Sequence, residues 1–127
     1  FLTRLSSSRV SVALASSSEV ADIERMLSAS GLLKFFQVWA GGDEVSQGKP
    51  DPVVFLLAAR RLGVAPSSCL VIEDSQAGVT AAHRAGMRVV DVHRGTPLVN
   101  GWGGMISRSV YDFDELLEEG FERLIAP

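Results

Sequence analysis

The sequence has few cysteines, no long apolar run and no cluster of basic residues, and each of these absences argues against a class of protein. It has one cysteine, Cys69, which cannot form a disulfide within the chain, so we expect a reducing, cytoplasmic environment. No apolar run approaches the roughly 20 residues that span a bilayer, and no signal-peptide pattern opens the chain. Lysine and arginine form no stripe, and the formal net charge is −3. We therefore expect a soluble protein that binds neither membranes nor nucleic acid.

What the sequence does contain is the composition of one globular domain over residues 1–127. Hydrophobic residues make up 46% of the chain and charged residues 21%, a balance that separates it from disordered chains. Predicted strands alternate with helices, and these strands are apolar throughout, as in parallel sheets covered on both faces. The prediction is an α/β, doubly wound fold with a mostly parallel sheet. The strands are predicted at 10–15, 35–41, 68–74 and 88–92, and the helices before Gly31, at 52–62, over 75–86 and near 114–124.

Acidic residues end the third predicted strand. Because ligands bind at the carboxyl ends of strands in open parallel sheets, Glu73 and Asp74 lie where a ligand is expected, as do residues 16–18, 41–43 and 93–96. Adjacent carboxylates repel each other unless a cation lies near them, and oxygen ligands suit Mg²⁺. The alternative is that Asp74 caps the helix beginning at Ser75, which is the commoner role for an aspartate considered alone.

Two further residues suggest phosphate chemistry. Lys49, in the segment GKPDP, carries an ammonium group suited to neutralising a phosphate, although a solvated loop lysine is the commoner interpretation of that residue alone. Ser16 follows the first strand, where its hydroxyl and nearby helix amides are suited to phosphate oxygens. Ser16 also stands at capping-box spacing from Glu19, so a helix cap is the alternative, and the two roles are compatible.

In their order, these segments resemble the haloacid dehalogenase (HAD) superfamily of phosphatases and phosphomutases. VALASSS (12–18) is similar to the second motif of that family, GKPDPVVF (48–55) to the third, and CLVIEDSQAGVTAAHRAGM (69–87) to the fourth. The EDS form of the fourth motif is similar to the beta-phosphoglucomutase-like and sugar-phosphatase branch. The resemblance implies a Mg²⁺-dependent phosphoryl transfer on a small phosphorylated metabolite, including sugar phosphates.

The resemblance also implies a role for each matching residue. Ser16, with Ser17 beside it, would hydrogen-bond the transferring phosphoryl group, and Lys49 would bridge that group and the nucleophile. Asp74 would hold Mg²⁺, with Glu73 as a further or outer ligand. Phosphatase and phosphomutase activity remain alternatives, because the resemblance does not separate them.

The first motif of the family, an apolar strand ending D-x-D-G-[TV] that carries the aspartate nucleophile, does not occur in this sequence. Asp112 and Asp114 have the D-x-D spacing, but they stand at a helix start and are interpreted as capping residues. The family's cap domain is also absent, and the chain opens at Phe1 on what resembles the end of a helix. We therefore expect the C-terminal part of a larger core, inactive alone.

The absent strand is the central one of the family's sheet, so its absence predicts a gap. The strands on either side would pair directly, or a second chain or the missing N-terminal segment would fill the space. Self-association is the prediction for the isolated chain. Two rival hypotheses are a non-catalytic product that binds metal or phosphate or self-associates, and a receiver-type signalling domain. The receiver is disfavoured because serines, not acids, end the first strand.

Overall fold

Strands and helices alternate along the chain. The computed structural model describes residues 1–95, 104–118 and 120–125. The strands within those ranges are β1 (Ala13–Ala15), β2 (Val38–Ala40), β3 (Leu70–Glu73), β4 (Arg88–Val92) and β5 (Arg108–Val110). The helices are α1 (Leu2–Ser6), α2 (Val20–Ala29), α3 (Val53–Leu62), α4 (Gln76–Arg84), α5 (Phe113–Glu118) and α6 (Glu122–Ile125), and 3₁₀ turns lie at Leu33–Phe35, Gly42–Glu44 and Pro66–Ser68. The predicted α/β class is confirmed.

The strands form two separate parallel sheets. β1 pairs with β2, and β3, β4 and β5 pair in that order, all in parallel. Among the described residues no pairing joins β1 to β3. The expected gap is therefore present, and the alternative in which its two flanking strands pair directly is wrong.

Helices cover both faces of these strands. Neighbouring residues of a strand point to opposite faces, so each strand contributes side chains to both layers of packing. Val71 and Val89 pack on one side with residues of α3 and α4, including Phe55. Val90 and its neighbours Leu70 and Ile72 pack on the other side with Leu5 and with residues of α5 and its surroundings. Each fully buried valine contributes about 1.5–3 kcal/mol to folding. This two-sided burial explains why most residues of these strands are apolar.

The gap between the two sheets is an apolar groove of about 900 Å³, lined by β1, β3 and parts of α1 and α3. The N–H of Ser16 donates to Ala40 and the carbonyl of Val12 accepts from Gln37, so these positions of the first strand face β2. Alternation then directs the backbone N–H and C=O groups of Ala13 and Ala15 into the groove. Within the described chain these edges have no strand partner.

The predicted boundaries needed several corrections. The first strand is three residues long rather than six, and the second is preceded by a 3₁₀ turn at Leu33–Phe35. β5 was not predicted, and the single final helix is wrong because Gly120, with φ of +83°, separates α5 from α6. Thr96, one of the residues expected at the ligand edge, lies outside the described residues. No helix in the described ranges has the length and apolar character needed to cross a bilayer.

Candidate active site

The carboxyl ends of β1, β3 and β4 open into one cleft of about 890 Å³. Because strands β1 and β3 both end there, they run in the same direction on either side of the groove. The cleft is lined by all five side chains that the sequence singled out, although they are up to 58 residues apart in the chain: Ser16, Ser17, Lys49, Glu73 and Asp74. These five side chains therefore lie around one cleft, whereas Ser18 and residues 41–43, which were also expected at the ligand edge, do not line it.

Lys49 and Glu73 form an ion pair at the wall of the cleft. The Lys49 ammonium donates to a carboxylate oxygen of Glu73, and the two side chains are 12% and 9% exposed. The ammonium also lies over the Phe55 ring, 4.7 Å from its centroid. The other Glu73 oxygen accepts from the backbone N–H of Asp74 at 3.2 Å and from the Ser75 hydroxyl at 3.0 Å. Both ends of the pair are therefore held by several contacts.

Asp74 differs from Glu73 in that its carboxylate is exposed and accepts no hydrogen bond from any described residue. The alternative role, capping α4, is not the one observed. Ser75 is the cap, since its hydroxyl oxygen accepts from the backbone N–H of Gly78 at 3.1 Å. The Asp74 carboxylate is thus available for a ligand in the cleft.

The serine loop after β1 is anchored to the loop after β2. The carbonyl of Ser18 accepts from Gly42 at 2.8 Å, and the Ser16 hydroxyl oxygen accepts from the Ser18 backbone N–H at 3.1 Å. The predicted capping box of Ser16 and Glu19 is wrong, because α2 begins later, at Val20, and its first N–H donates to Asp43 at 2.9 Å. The Ser16 hydroxyl hydrogen is therefore not committed to the helix and is able to donate to a bound anion.

Two residues of the cleft had no role assigned from the sequence. Arg94, in the loop after β4, is exposed and lines the cleft, and no described residue pairs with its guanidinium group. The neighbouring His93 also lines it, with its Nδ1 2.9 Å from the Gly95 carbonyl oxygen. The position after a strand end is the only signal the sequence offers for either residue. Lys49 is paired with Glu73, whereas Arg94 is a positive group of the cleft without an ion-pair partner among the described residues.

The acidic pair is compatible with a magnesium ion. Mg²⁺ takes one or two protein carboxylates and fills its other positions with water and substrate phosphate. Asp74 offers a carboxylate without a protein partner, and Glu73 lies beside it. No group of three or more potential ligands occurs among the described histidine, cysteine, aspartate and glutamate side chains, so no closed, all-protein metal cage is formed there. The available donors therefore fit an open Mg²⁺ site.

The chain has clear relatives among known proteins. Residues 1–92 match the family model of the haloacid dehalogenase-like hydrolases. This chain belongs to the haloacid dehalogenase-like hydrolase family. The predicted resemblance to this family, and to its beta-phosphoglucomutase and sugar-phosphatase members, is confirmed.

Three relatives of this HAD chain are informative. It is 36% identical over 121 residues to a phosphorylated carbohydrates phosphatase of Thermotoga maritima, covering 95% of this chain and 50% of the relative. It is 35% identical over 123 residues to a beta-phosphoglucomutase of Bacillus subtilis, covering 96% and 53%. The crystal structure of CbbY from Rhodobacter sphaeroides in complex with phosphate matches with a TM-score of 0.79 and 29% identity, covering 91% and 52%. The HAD chain thus spans about half the length of each.

Proposed function

We propose that this chain is the C-terminal core segment of a Mg²⁺-dependent enzyme that transfers phosphoryl groups of small phosphorylated metabolites. The observation that carries the proposal is the cleft, where two serine hydroxyls, one lysine ammonium and two carboxylates meet at the strand ends. This combination supplies donors for phosphate oxygens and ligands for a divalent cation. The free, half-buried Cys69 is compatible with a reducing compartment, so we place the protein in the cytoplasm.

In this proposal, the side chains that line the cleft bind either the phosphoryl group or the metal ion. The hydroxyls of Ser16 and Ser17 donate hydrogen bonds to phosphoryl oxygens, and the Lys49 ammonium offsets the charge that develops on them. Asp74 and Glu73 would hold the Mg²⁺, which when bound neutralises phosphate charge and orients the group for in-line transfer. Positioning and electrostatic stabilisation supply most of the catalysis in phosphoryl transfer.

Hydrolysis of a phosphorylated sugar is the favoured reaction. Support comes from the relatives, because one is named as a phosphatase of phosphorylated carbohydrates and another as a beta-phosphoglucomutase, at 36% and 35% identity. Both names refer to phosphorylated sugars, so the substrate class is common to the two alternatives. A phosphomutase of the beta-phosphoglucomutase type is the second candidate.

The chain alone should not catalyse the reaction. Uncatalysed hydrolysis of phosphate monoesters is so slow that enzymes accelerate it by up to about 10²¹-fold. Among the described residues the carboxylates lining the cleft are Glu73, paired with Lys49, and Asp74, assigned to the metal. Neither is left to attack phosphorus, so p-nitrophenyl phosphate should turn over at background rate. Turnover well above background that Asp74→Asn abolishes would contradict this expectation.

The metal site is tested by binding rather than by turnover. Isothermal titration of the chain with Mg²⁺, in the presence of inorganic phosphate, should give a saturable signal that Asp74→Asn weakens at least tenfold. Asp22→Asn is the matched control, because Asp22 is an exposed aspartate that pairs with Arg25 on the surface of α2. Equal weakening by both variants, or no binding by the unmodified chain, would overturn the assignment of the metal to Asp74.

We also propose that the groove between β1 and β3 accepts an extended apolar strand from a polypeptide beyond these 127 residues. Support comes from the inward-facing backbone of Ala13 and Ala15, the apolar lining of the groove, and the additional half of the chain in the relatives. The occupant would be the family's first strand, parallel to both neighbours. Where that strand is missing, a second copy of this chain is the substitute.

A further inference from the structure

The Glu73 carboxylate occupies space that only a glycine at position 78 leaves open. Gly78 is in the first turn of α4, and its backbone N–H donates to the Ser75 cap. A methyl group built at Gly78 would overlap all three atoms of the Glu73 carboxyl group, well inside van der Waals contact. Gly78 is buried, and its φ is not in the left-handed region, so close approach rather than backbone conformation requires glycine here.

The placement of Glu73 in turn determines where Lys49 lies. Glu73 is held against α4 by the Asp74 and Ser75 backbone N–H groups, at 3.2 and 3.3 Å, and by the Ser75 hydroxyl. Its remaining oxygen accepts from Lys49, which lies 24 residues earlier in a loop that has no strand or helix of its own. The ammonium also lies over the Phe55 ring, 4.7 Å from its centroid.

From this geometry we propose that Gly78 is a positioning residue for Lys49. It touches neither the cleft nor a substrate, and it acts by admitting the Glu73 carboxylate to the start of α4, where that group fixes the lysine at the cleft wall. The inference deepens the proposed function, because a fixed Lys49 matters for phosphoryl transfer only if that function holds. A larger residue at position 78 would push Glu73 toward the cleft and release Lys49.

The experiment measures how reactive the Lys49 amine is, with no metal or substrate present. The chain has two lysines, Lys34 and Lys49, and Lys34 is exposed, so it serves as an internal reference. The folded chain is acetylated briefly at fixed pH, and the ratio of modification at Lys49 to that at Lys34 is read by mass spectrometry. Lys49 should react several-fold more slowly than Lys34, and Gly78→Ala and Glu73→Gln should each remove most of that difference.

A double variant separates positioning from general damage to the helix. In a Glu73→Ala background no carboxyl group remains for a methyl group at position 78 to overlap. Adding Gly78→Ala to that background should therefore leave the acetylation ratio unchanged and should not lower the thermal midpoint. An unchanged ratio in Gly78→Ala, with a raised ratio in Glu73→Gln, would overturn the role of Gly78. Unfolding of Glu73→Ala/Gly78→Ala when Glu73→Ala is folded would do the same. The readout needs no Mg²⁺, so failure of metal binding would reject the proposed function and leave this inference standing.

Discussion

Gly42 shows how closely two loops approach beside the candidate active site. A Cβ at this position would overlap the carbonyl oxygen of Ser17, a residue of the proposed phosphate-binding loop. Gly42→Ala should therefore cost about 1–3 kcal/mol in the free energy of unfolding, because backbone, not a flexible side chain, must move. It should also weaken the binding of phosphate with Mg²⁺. Urea unfolding and isothermal titration measure the two effects.

Gly48 provides the matched control for that substitution. A Cβ there meets nothing within 4 Å, so Gly48→Ala should change the free energy of unfolding by no more than about 0.5 kcal/mol, or stabilise slightly by restricting the unfolded chain. If both alanine variants were equally stable, the tight approach of Gly42 to the serine loop would be refuted.

At the same scale, the sequence predicted which side chains line the cleft better than it predicted their contacts. Glu73 and Asp74 were predicted at a strand end, where the structure has them, but their different environments were not visible in the sequence. Asp74 and Ser75 are both good N-cap residues, and a shift of one residue in the helix start changes which of them caps. The orientation of Glu73 depends on its contact with Lys49, 24 residues earlier, and on the space that Gly78 leaves open. Neither contact can be predicted from the residues next to Glu73 in the sequence.

Among the elements, β4 was predicted with its exact bounds because a valine-rich segment, RVVDV, stands between a glycine-ended helix and a polar loop. β5 was missed because three residues carry too little periodicity to separate a strand from a loop. The start of α2 was misplaced for another reason. The N–H of its first residue, Val20, donates to the side chain of Asp43, 23 residues further along the chain, so this hydrogen bond is created only when the two loops meet.

Glu44 and Arg61 join the turn after β2 to α3, and this connection should depend on pH. The hydrogen bond from the Arg61 guanidinium, followed by that from the Gly41 N–H, lowers the pKa of Glu44 from 4.5 to about 2. Because the pKa of Glu44 is lower in the folded than in the unfolded chain, its ionised form stabilises the fold. This contribution to the free energy of unfolding is complete above pH 4.5 and is lost as the pH falls toward 2. Both side chains are about one-third exposed, so the contribution should stay below about 1 kcal/mol.

Urea unfolding at pH 7 and pH 3 tests this connection. Glu44→Gln should be less stable than the unmodified chain at pH 7 and should lose less stability on acidification, because glutamine does not titrate. Asp22→Asn, which removes an exposed carboxylate from the Asp22–Arg25 pair on α2, controls for the general effect of removing a charge. Parallel acid dependence in the Glu44→Gln and unmodified chains would show that the ion pair contributes nothing to stability.

At the scale of the whole molecule, the division of the strands into two sheets is the dominant feature. In the ladder between β3 and β4, the Arg88 N–H donates to the carbonyl of Cys69. Alternation therefore directs the backbone N–H and C=O groups of Leu70 and Ile72 into the groove, opposite those of Ala13 and Ala15. All four residues are half-buried, and the unpaired N–H and C=O groups of an edge strand are a ready template for another strand. The two edges of the groove therefore favour pairing with an additional strand.

The isolated chain should therefore self-associate, and light scattering at micromolar concentration should give a mass of at least twice 13.6 kDa. Ala13→Pro removes one groove-facing N–H without touching the ladder to β2, so it should shift the mass toward the monomer. Ala13→Gly keeps the N–H and serves as the control. A monomeric mass for the unmodified chain would show that its open edges do not recruit a second copy. Association undiminished by Ala13→Pro would place the contact elsewhere than the β1 edge of the groove.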